Sequence, residues 1–315
     1  MKKTYLGIDT SNYRTSVALV DEGGSVLYSH RELLEVPQGK RGLRQSEAFF
    51  QHVQRLPEAV APAMEYRDSI AGIGVSTRPR PREGSYMPCF TAGTACAREL
   101  ASALNVPLTE TSHQEGHIMA VKFNSELKES DDPVFFHFSG GTTEAVLGNE
   151  IIGGTKDLAY GQVLDRIGVR LGYGFPAGEV LDKMALSASG RTNLLKPIKN
   201  DECHINLSGI ETQAQRVLDR AQKDEKFVTA DFIRELMDRL ADSIMGMVTV
   251  ISREYGKRDF IFAGGVSSSA YIRKRLSEEL PGDIRAVFGS PELSGDNAVG
   301  TALIAMKESK LNEGR

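Results

Sequence analysis

His113 and His117 stand four residues apart in the run Thr111-Ser-His-Gln-Glu-Gly-His117. On a helix that spacing brings two imidazoles to one face, near enough to hold a single metal ion. A surface or helix-capping pair of histidines is the plainer meaning of the same spacing. Further along, the chain reads His137-Phe-Ser-Gly-Gly-Thr-Thr143. This predicts a strand ending in a glycine loop, where backbone N–H groups can approach a phosphate. A metal pair and a phosphate loop so close in sequence point to metal-assisted nucleotide chemistry. A zinc-peptidase reading fails on spacing. Such enzymes need His-Glu-x-x-His, whereas Glu115 lies two residues from each histidine, roughly 200° around a helix and on its opposite face.

Along the strand, His137 and Ser139 share one face while Phe136 and Phe138 share the other. The face bearing the loop serine is expected to open on a cleft, although a buried histidine bonded to backbone accounts for His137 equally well. Asp296 begins a helical stretch and offers an oxygen ligand, where a plain helix N-terminal carboxylate is the default meaning.

The elements that must position these groups follow from pattern. Thr4 to Asp9 and Thr15 to Val20 are predicted strands, and residues 21–24 turn into a third at 25–29. The stretch 133–153 does the same, with strands at Val134–Phe138, Glu144–Leu147 and Ile151–Ile152. This is a weak internal repeat of strand, polar loop, strand, turn, strand. Asp259–Ala263 is a further apolar strand running into Gly264-Gly265-Val266 and then a helix to about Glu279. Helices are predicted near Thr91–Leu104, Val163–Leu171, Gly178–Ser187, Ala230–Arg253 and Asp296–Glu308. These are the parts of the actin-like ATPase arrangement, an α/β fold in which two ribonuclease-H-like lobes clamp a nucleotide between them. The expected lobes are residues 1–115, joined by a returning helix at 296–315, and residues 116–295.

The chain has 315 residues, enough for two cores. A formal charge of −4 argues against a uniformly basic nucleic-acid binder but leaves room for local basic patches. Lys40, Arg41 and Arg44, with Arg78, Arg80 and Arg82, form one such patch, suited to RNA phosphates, to a phosphorylated ligand, or simply to a solvated loop. Three cysteines without a CxxC pair disfavour a disulfide framework or cysteine metal site and suit a reducing cytoplasm. Asp9 interrupts the N-terminal apolar run, so no secretory signal is expected, and no stretch is long enough to span a bilayer. A cytoplasmic protein without a membrane partner is the expectation.

Eight short motifs then fall in order: Gly7-Ile-Asp-Thr-Ser11, Ser112-His-Gln-Glu-Gly-His117, Phe138-Ser-Gly-Gly-Thr-Thr143, Leu164-Asp-Arg-Ile167, Gly174-Phe-Pro-Ala-Gly178, Leu207-Ser-Gly-Ile210, Ala263-Gly-Gly-Val266 and Gly295-Asp-Asn-Ala298. Through nearly its whole length the chain resembles the tRNA threonylcarbamoyladenosine synthase family, the TsaD/YgjD-like proteins formerly called O-sialoglycoprotein endopeptidases. The resemblance implies one divalent transition metal, iron or zinc, held by His113, His117 and Asp296. His137, at a position where some relatives have a tyrosine, is implied as an extra ligand. It also implies ATP or an acyl-adenylate bound by His137, Phe138, Ser139, Gly140 and Gly141, with Asp165, Gly178 and Asp182 at the sugar and base and Ser269 in the place of a base-contacting asparagine. The implied reaction moves a threonylcarbamoyl group from its adenylate to the N6 amine of the adenosine beside the anticodon of tRNA. Implied partners are a smaller paralogous subunit (TsaB-like) and an accessory ATPase (TsaE-like).

Several positions depart from the family pattern. Gln162 stands for a glutamate, Glu211 for the lysine of Ser-Gly-Leu-Lys-Thr, Ser269 for the asparagine, and Thr77-Arg-Pro-Arg-Pro-Arg-Glu-Gly84 for a Gly-Pro-Gly loop. They leave open a divergent paralogue that passes a carbamoyl-type group to another acceptor, or a non-catalytic partner that only binds nucleotide.

Overall fold

The computed structural model describes residues 2–11, 13–36, 43–123, 125–138, 141–221, 225–289 and 298–313. The candidates Ser139, Gly140 and Asp296, and the basic residues Lys40 and Arg41, lie outside the described residues. The chain divides into two units, Met1–Lys128 with Gly295–Arg315, and Glu129–Ser294. The division falls after the helix that carries His113 and His117 rather than within it.

In the first unit β1 (Thr4–Asp9), β2 (Arg14–Asp21) and β3 (Val26–Leu33) form an antiparallel meander. To it are added β4 (Ile70–Arg78) and β5 (Leu108–Ser112), both parallel to β1, giving the order β3-β2-β1-β4-β5. In the second unit β6 (Val134–Phe138), β7 (Thr143–Leu147) and β8 (Glu150–Thr155) repeat the meander. There β11 (Asp259–Ala263) and β12 (Arg285–Phe288) are the parallel additions. The order is β12-β11-β6-β7-β8-β10-β9, with the short β9 (Asn200–Asp201) and β10 (His204–Ile205) on the β8 edge. The run β8-β7-β6-β11-β12 thus has the order and strand directions of β3-β2-β1-β4-β5. The weak repeat in the sequence corresponds to a duplicated five-strand sheet.

Central strands buried on both faces read as continuous apolar runs. β1 is buried at every position, while the edge strand β3 alternates toward solvent. The first-unit core gathers Leu6, Ile8, Val17, Leu19, Ile73 and Val75 under α1 (Gln45–Val60) and α2 (Phe90–Leu104). In the second unit, phenylalanines of β6 and β11 stack, with Phe136 and Phe262 ring centroids 5.1 Å apart. Against them lie α4 (Tyr160–Arg170), α5 (Gly178–Ser187), α6 (Ser208–Ala221), α8 (Ala270–Glu279) and the 27-residue α7 (Thr229–Tyr255). The last turns of α7 bury Leu240, Ile244, Met247 and Ile251, the i, i+4, i+7 stripe of a core-facing helix.

The final helix, α9 (Val299–Glu313), packs against β1, β4 and α3 (His113–Lys122). It approaches α3 backbone to backbone: a Cβ on Gly300 would stand 1.7 Å from the Gly116 carbonyl oxygen. This contact fixes the histidine-bearing helix to the first unit. Among the described residues, no helix is long and apolar enough to cross a membrane.

Inside the same unit His52 of α1 is completely buried and hydrogen-bonded through Nδ1 to Thr15 Oγ1 at 2.8 Å. Burial pushes its pKa down to about 4, with the Asp9 charge partly opposing and Arg55 adding to the fall. Between that value and the ordinary 6.5 the unfolded chain binds the extra proton, so folded stability falls as pH drops through this window and is constant above it. The slope is expected to reach about 1.4 kcal/mol per pH unit. Urea midpoints between pH 7 and pH 4.5 check it, and His52→Gln should flatten the profile.

Candidate functional site

Ser112 ends β5 and caps α3. Its hydroxyl accepts from the Glu115 N–H at 3.2 Å, and Glu115 Oε2 accepts in return from the Ser112 N–H at 2.8 Å. Glu115 is also held by the hydroxyls of Ser112 and Thr111 at 2.7 and 3.1 Å. It is therefore a capping-box residue turned back from the helix, which agrees with its exclusion as a base beside the histidines. The cap makes His113 the first helical residue and leaves His117 one turn on, over the same face. Their Nε2 atoms converge to 2.9 Å, with the rings at 80° to each other.

His113 is oriented from below. Asp9, at the end of β1 and 1% exposed, sets Oδ2 at 2.7 Å from His113 Nδ1, and its Oδ1 accepts from the Ser11 N–H at 2.8 Å. Burial by itself would push the Asp9 carboxyl up, but the neighbouring His113, together with hydrogen bonds from His113 and Ser11, holds it below the usual carboxylate value. An ionised carboxylate on Nδ1 requires the proton there, which leaves Nε2 of His113 with its lone pair directed at His117. Asp9 was missed from sequence as part of this site. Its signals were a charge closing an apolar strand and its place in the Gly7–Ser11 motif, neither of which ties it to His113.

The donor set fits a transition metal. Two imidazole nitrogens bound at 2.0–2.1 Å to one ion at tetrahedral or octahedral angles lie about 2.9–3.4 Å apart, and the observed separation falls in that range. Among the described residues no third histidine, cysteine or carboxylate joins them. His137 belongs to the second unit, on β6 in register with Glu144 and Ala263, and is its one partly exposed residue.

The second unit holds a pocket of about 490 Å³ lined by Asp165, Gly178, Asp182, Gly265 and Ser269, among others. Four of the residues assigned to nucleotide from sequence therefore meet in one cavity. Two glycines follow β11. Gly264 takes φ +97°, and a Cβ on it would strike the Phe138 carbonyl oxygen at 2.2 Å, so the turn that places Gly265 on the cavity wall admits only glycine. Ser269 caps α8, accepting from the Ile272 N–H at 3.1 Å, and donates to Asp182. Asp182 accepts in addition from the N–H groups of Ala270 and Tyr271 at 3.0 and 3.1 Å. Its carboxylate is engaged at the helix N-terminus, and so is Ser269. Asp165 accepts from the Ala177 N–H at 2.8 Å, which fixes the segment leading to Gly178. Phe138 points the other way. Its side chain is buried beside Phe136, Tyr160 and Phe262, leaving only its backbone for a ligand. Gln162 accepts from the Ala159 N–H at 2.9 Å as the capping residue of α4, and Glu211 sits in the first turn of α6, accepting from Gln215 at 3.1 Å.

A family profile described as TsaD, tRNA N6-adenosine threonylcarbamoyltransferase, matches residues 33–303. The chain belongs to this family. One relative, the tRNA N6-adenosine threonylcarbamoyltransferase of Streptococcus equi subsp. equi (strain 4047), is 28% identical over 96% of this chain and 91% of its own length. Enzymes so named are acyltransferases. Among solved structures, that of T. kodakarensis HypF is similar with TM-score 0.58 and 14% identity, covering 99% of this chain and 48% of HypF. A ROK family glucokinase from Streptomyces griseus is similar with TM-score 0.52 and 14% identity over 96% of this chain and 99% of that enzyme. These likenesses establish the actin-like ATPase fold, α/β with two sheets and flanking helices, as the motif order had implied.

Proposed function

We propose that the chain transfers a threonylcarbamoyl group from threonylcarbamoyl-adenylate to the N6 amine of the adenosine next to the anticodon in tRNA. The observation that carries this reading is the convergence of His113 and His117 Nε2, ordered by buried Asp9, in a chain of the TsaD family. The histidine pair would hold iron or zinc, with Asp296 and His137 as the further ligands that the resemblance implies. A metal bound there supplies positive charge that polarises a carbonyl oxygen. Asp9 fixes the tautomer and ring orientation of His113. The Gly264–Gly265 turn and the capped start of α8 form the wall on which the nucleotide would rest, with the backbone N–H of Gly141 for its phosphates. Asp165 and Asp182 hold that wall in place through backbone N–H groups. A smaller paralogous subunit, an accessory ATPase and a cytoplasmic setting are part of the same reading.

Gly141 makes the nucleotide half testable. Among the described residues a Cβ there meets no atom within 4 Å, so Gly141→Val should leave the melting temperature nearly unchanged while filling space the ligand needs. Isothermal calorimetry is expected to show ATP binding in the wild type and its loss, at least about a hundredfold, in the variant. Wild-type protein without affinity for any adenine nucleotide would remove the enzyme reading.

The second reading, transfer of a carbamoyl-type group to another acceptor, draws on Glu211. An acidic residue is favoured in the first turn of α6 by the helix dipole, and it reverses the charge found in relatives. In a strain depleted of its own transferase, the unaltered chain is expected to restore growth weakly. Glu211→Lys with Ser269→Asn is expected to restore it better, since asparagine also serves as an N-cap at α8. Full restoration by the unaltered chain would remove the second reading.

A further inference from the structure

Neither site uses the arginines of the segment Thr77–Gly84, yet this segment is fastened to the histidine helix. Arg78, the last residue of β4, lies in register with Ser112, the cap of α3. The Pro79 carbonyl accepts from the Gln114 N–H at 3.1 Å, and the Thr77 hydroxyl donates to the Thr111 carbonyl at 3.3 Å. Beyond Pro79 the backbone folds back on itself. The Arg82 N–H donates to the Arg80 carbonyl at 2.9 Å, Ser85 N–H to the Arg82 carbonyl at 3.2 Å, and Arg80 N–H to Ser85 Oγ at 3.0 Å. Gly84 closes the turn at φ +72°.

The result is a structured loop carrying three arginines against one glutamate, Glu83. The carboxylates of the adjoining strand and helix are committed elsewhere, Glu110 to Arg98 at 2.6 Å and Glu115 to the α3 cap. Arg82 is exposed, Arg78 and Arg80 are partly so, and Tyr86, two residues past the turn, is 68% exposed. Guanidinium groups and an exposed aromatic ring carried on one short loop match the chemistry of single-stranded nucleic acid, in which phosphates and unstacked bases alternate. A free nucleotide is already provided for by the pocket of the other unit.

We infer that the 77–86 loop is an RNA-binding element. Arg78 and Arg82 would contact backbone phosphates beside the acceptor base, and Tyr86 would stack on a neighbouring unpaired base. The inference rests on the transferase reading for the identity of the RNA, an anticodon stem–loop. The test is fluorescence anisotropy of a labelled stem–loop with the full chain over a series of salt concentrations, alongside ATP calorimetry. Arg78→Ala/Arg82→Ala should weaken RNA binding at least about tenfold and lower the log–log salt slope by about 1.4, for two phosphate contacts to a single strand. Arg78→Lys/Arg82→Lys should keep the slope. Tyr86→Ala should weaken binding about tenfold with the slope unchanged, and ATP affinity should be the same in all of them. RNA bound by every variant with wild-type affinity and slope overturns this inference and leaves the transferase reading intact. RNA affinity intact but ATP affinity lost in the alanine variant also overturns it, assigning the arginines to the small molecule. A wild-type chain that binds no stem–loop overturns the loop's role together with the RNA acceptor.

Discussion

If the histidine pair holds the proposed metal, His117→Ala is expected to lose it while leaving the fold intact, whereas His113→Ala should lose the metal and also destabilise the protein. The difference lies in Asp9. Removing His117 takes away one nitrogen of a converging pair and leaves the Asp9–His113 contact at 2.7 Å in place. Removing His113 leaves an ionised carboxylate that is 1% exposed without the ring N–H that it accepts from. Breaking a buried pair from one side typically costs about 3 kcal/mol or more. Elemental analysis of untagged protein should find about one ion per chain in the wild type and little in either variant, and chemical denaturation should separate the two. Metal content unchanged in His117→Ala would return the pair to a capping role, and equal stability of the two variants would refute the orienting role of Asp9.

The second large effect is expected at Gly300, just past the Gly295–Ala298 motif and far in sequence from the helix it packs against. A valine there would drive its Cβ into the Gly116 carbonyl, 1.7 Å from where that atom would have to stand. Because the obstacle is backbone, no rotamer change relieves it, and α9 must move off α3, β1 and β4 or lose its first turn. The cost is expected at or above the upper end of the overpacking range, about 3 kcal/mol. Thermal melts should show a lower transition, and metal retention should fall with it because α3 loses its support. A Gly300→Val protein with wild-type melting and metal content would mean that α9 does not brace the histidine helix. Gly300→Ala should show the same defect to a lesser degree.

Much of this was legible in local sequence. Val134–Phe138 and Asp259–Ala263 are apolar runs bounded by polar or glycine breakers, and both strands have the bounds that the pattern predicts. The pairing of His113 with His117 needs only helical geometry, and α3 begins at His113 because Ser112 and Glu115 form a capping box within four residues. Gly178–Ser187 is helical as its pattern predicts. The duplication was visible only as two similar strand-and-turn strings. Whether β11 lies beside β6 as β4 lies beside β1 is a choice of parallel pairing across long crossovers, and no local signal encodes it.

Tertiary structure decided what local sequence leaves open. Asp9 and His113 are separated by 104 positions and meet because β1 and β5 flank β4 in one sheet. Ser269 and Asp182 read as nucleotide contacts in sequence, yet both are engaged at the N-terminus of α8, since an uncapped helix end leaves N–H groups that the nearest oxygens satisfy. Strand alternation in the sequence already put Phe138 with Phe136 and opposite His137, and tertiary packing supplied the phenylalanine core that its ring enters. Residue types and short spacings specify which groups are able to hold a metal or line a nucleotide pocket. Which of them face a ligand, and which brace the neighbours that do, depends on long-range packing, because orientation is set by contacts that the chain makes only after it has folded.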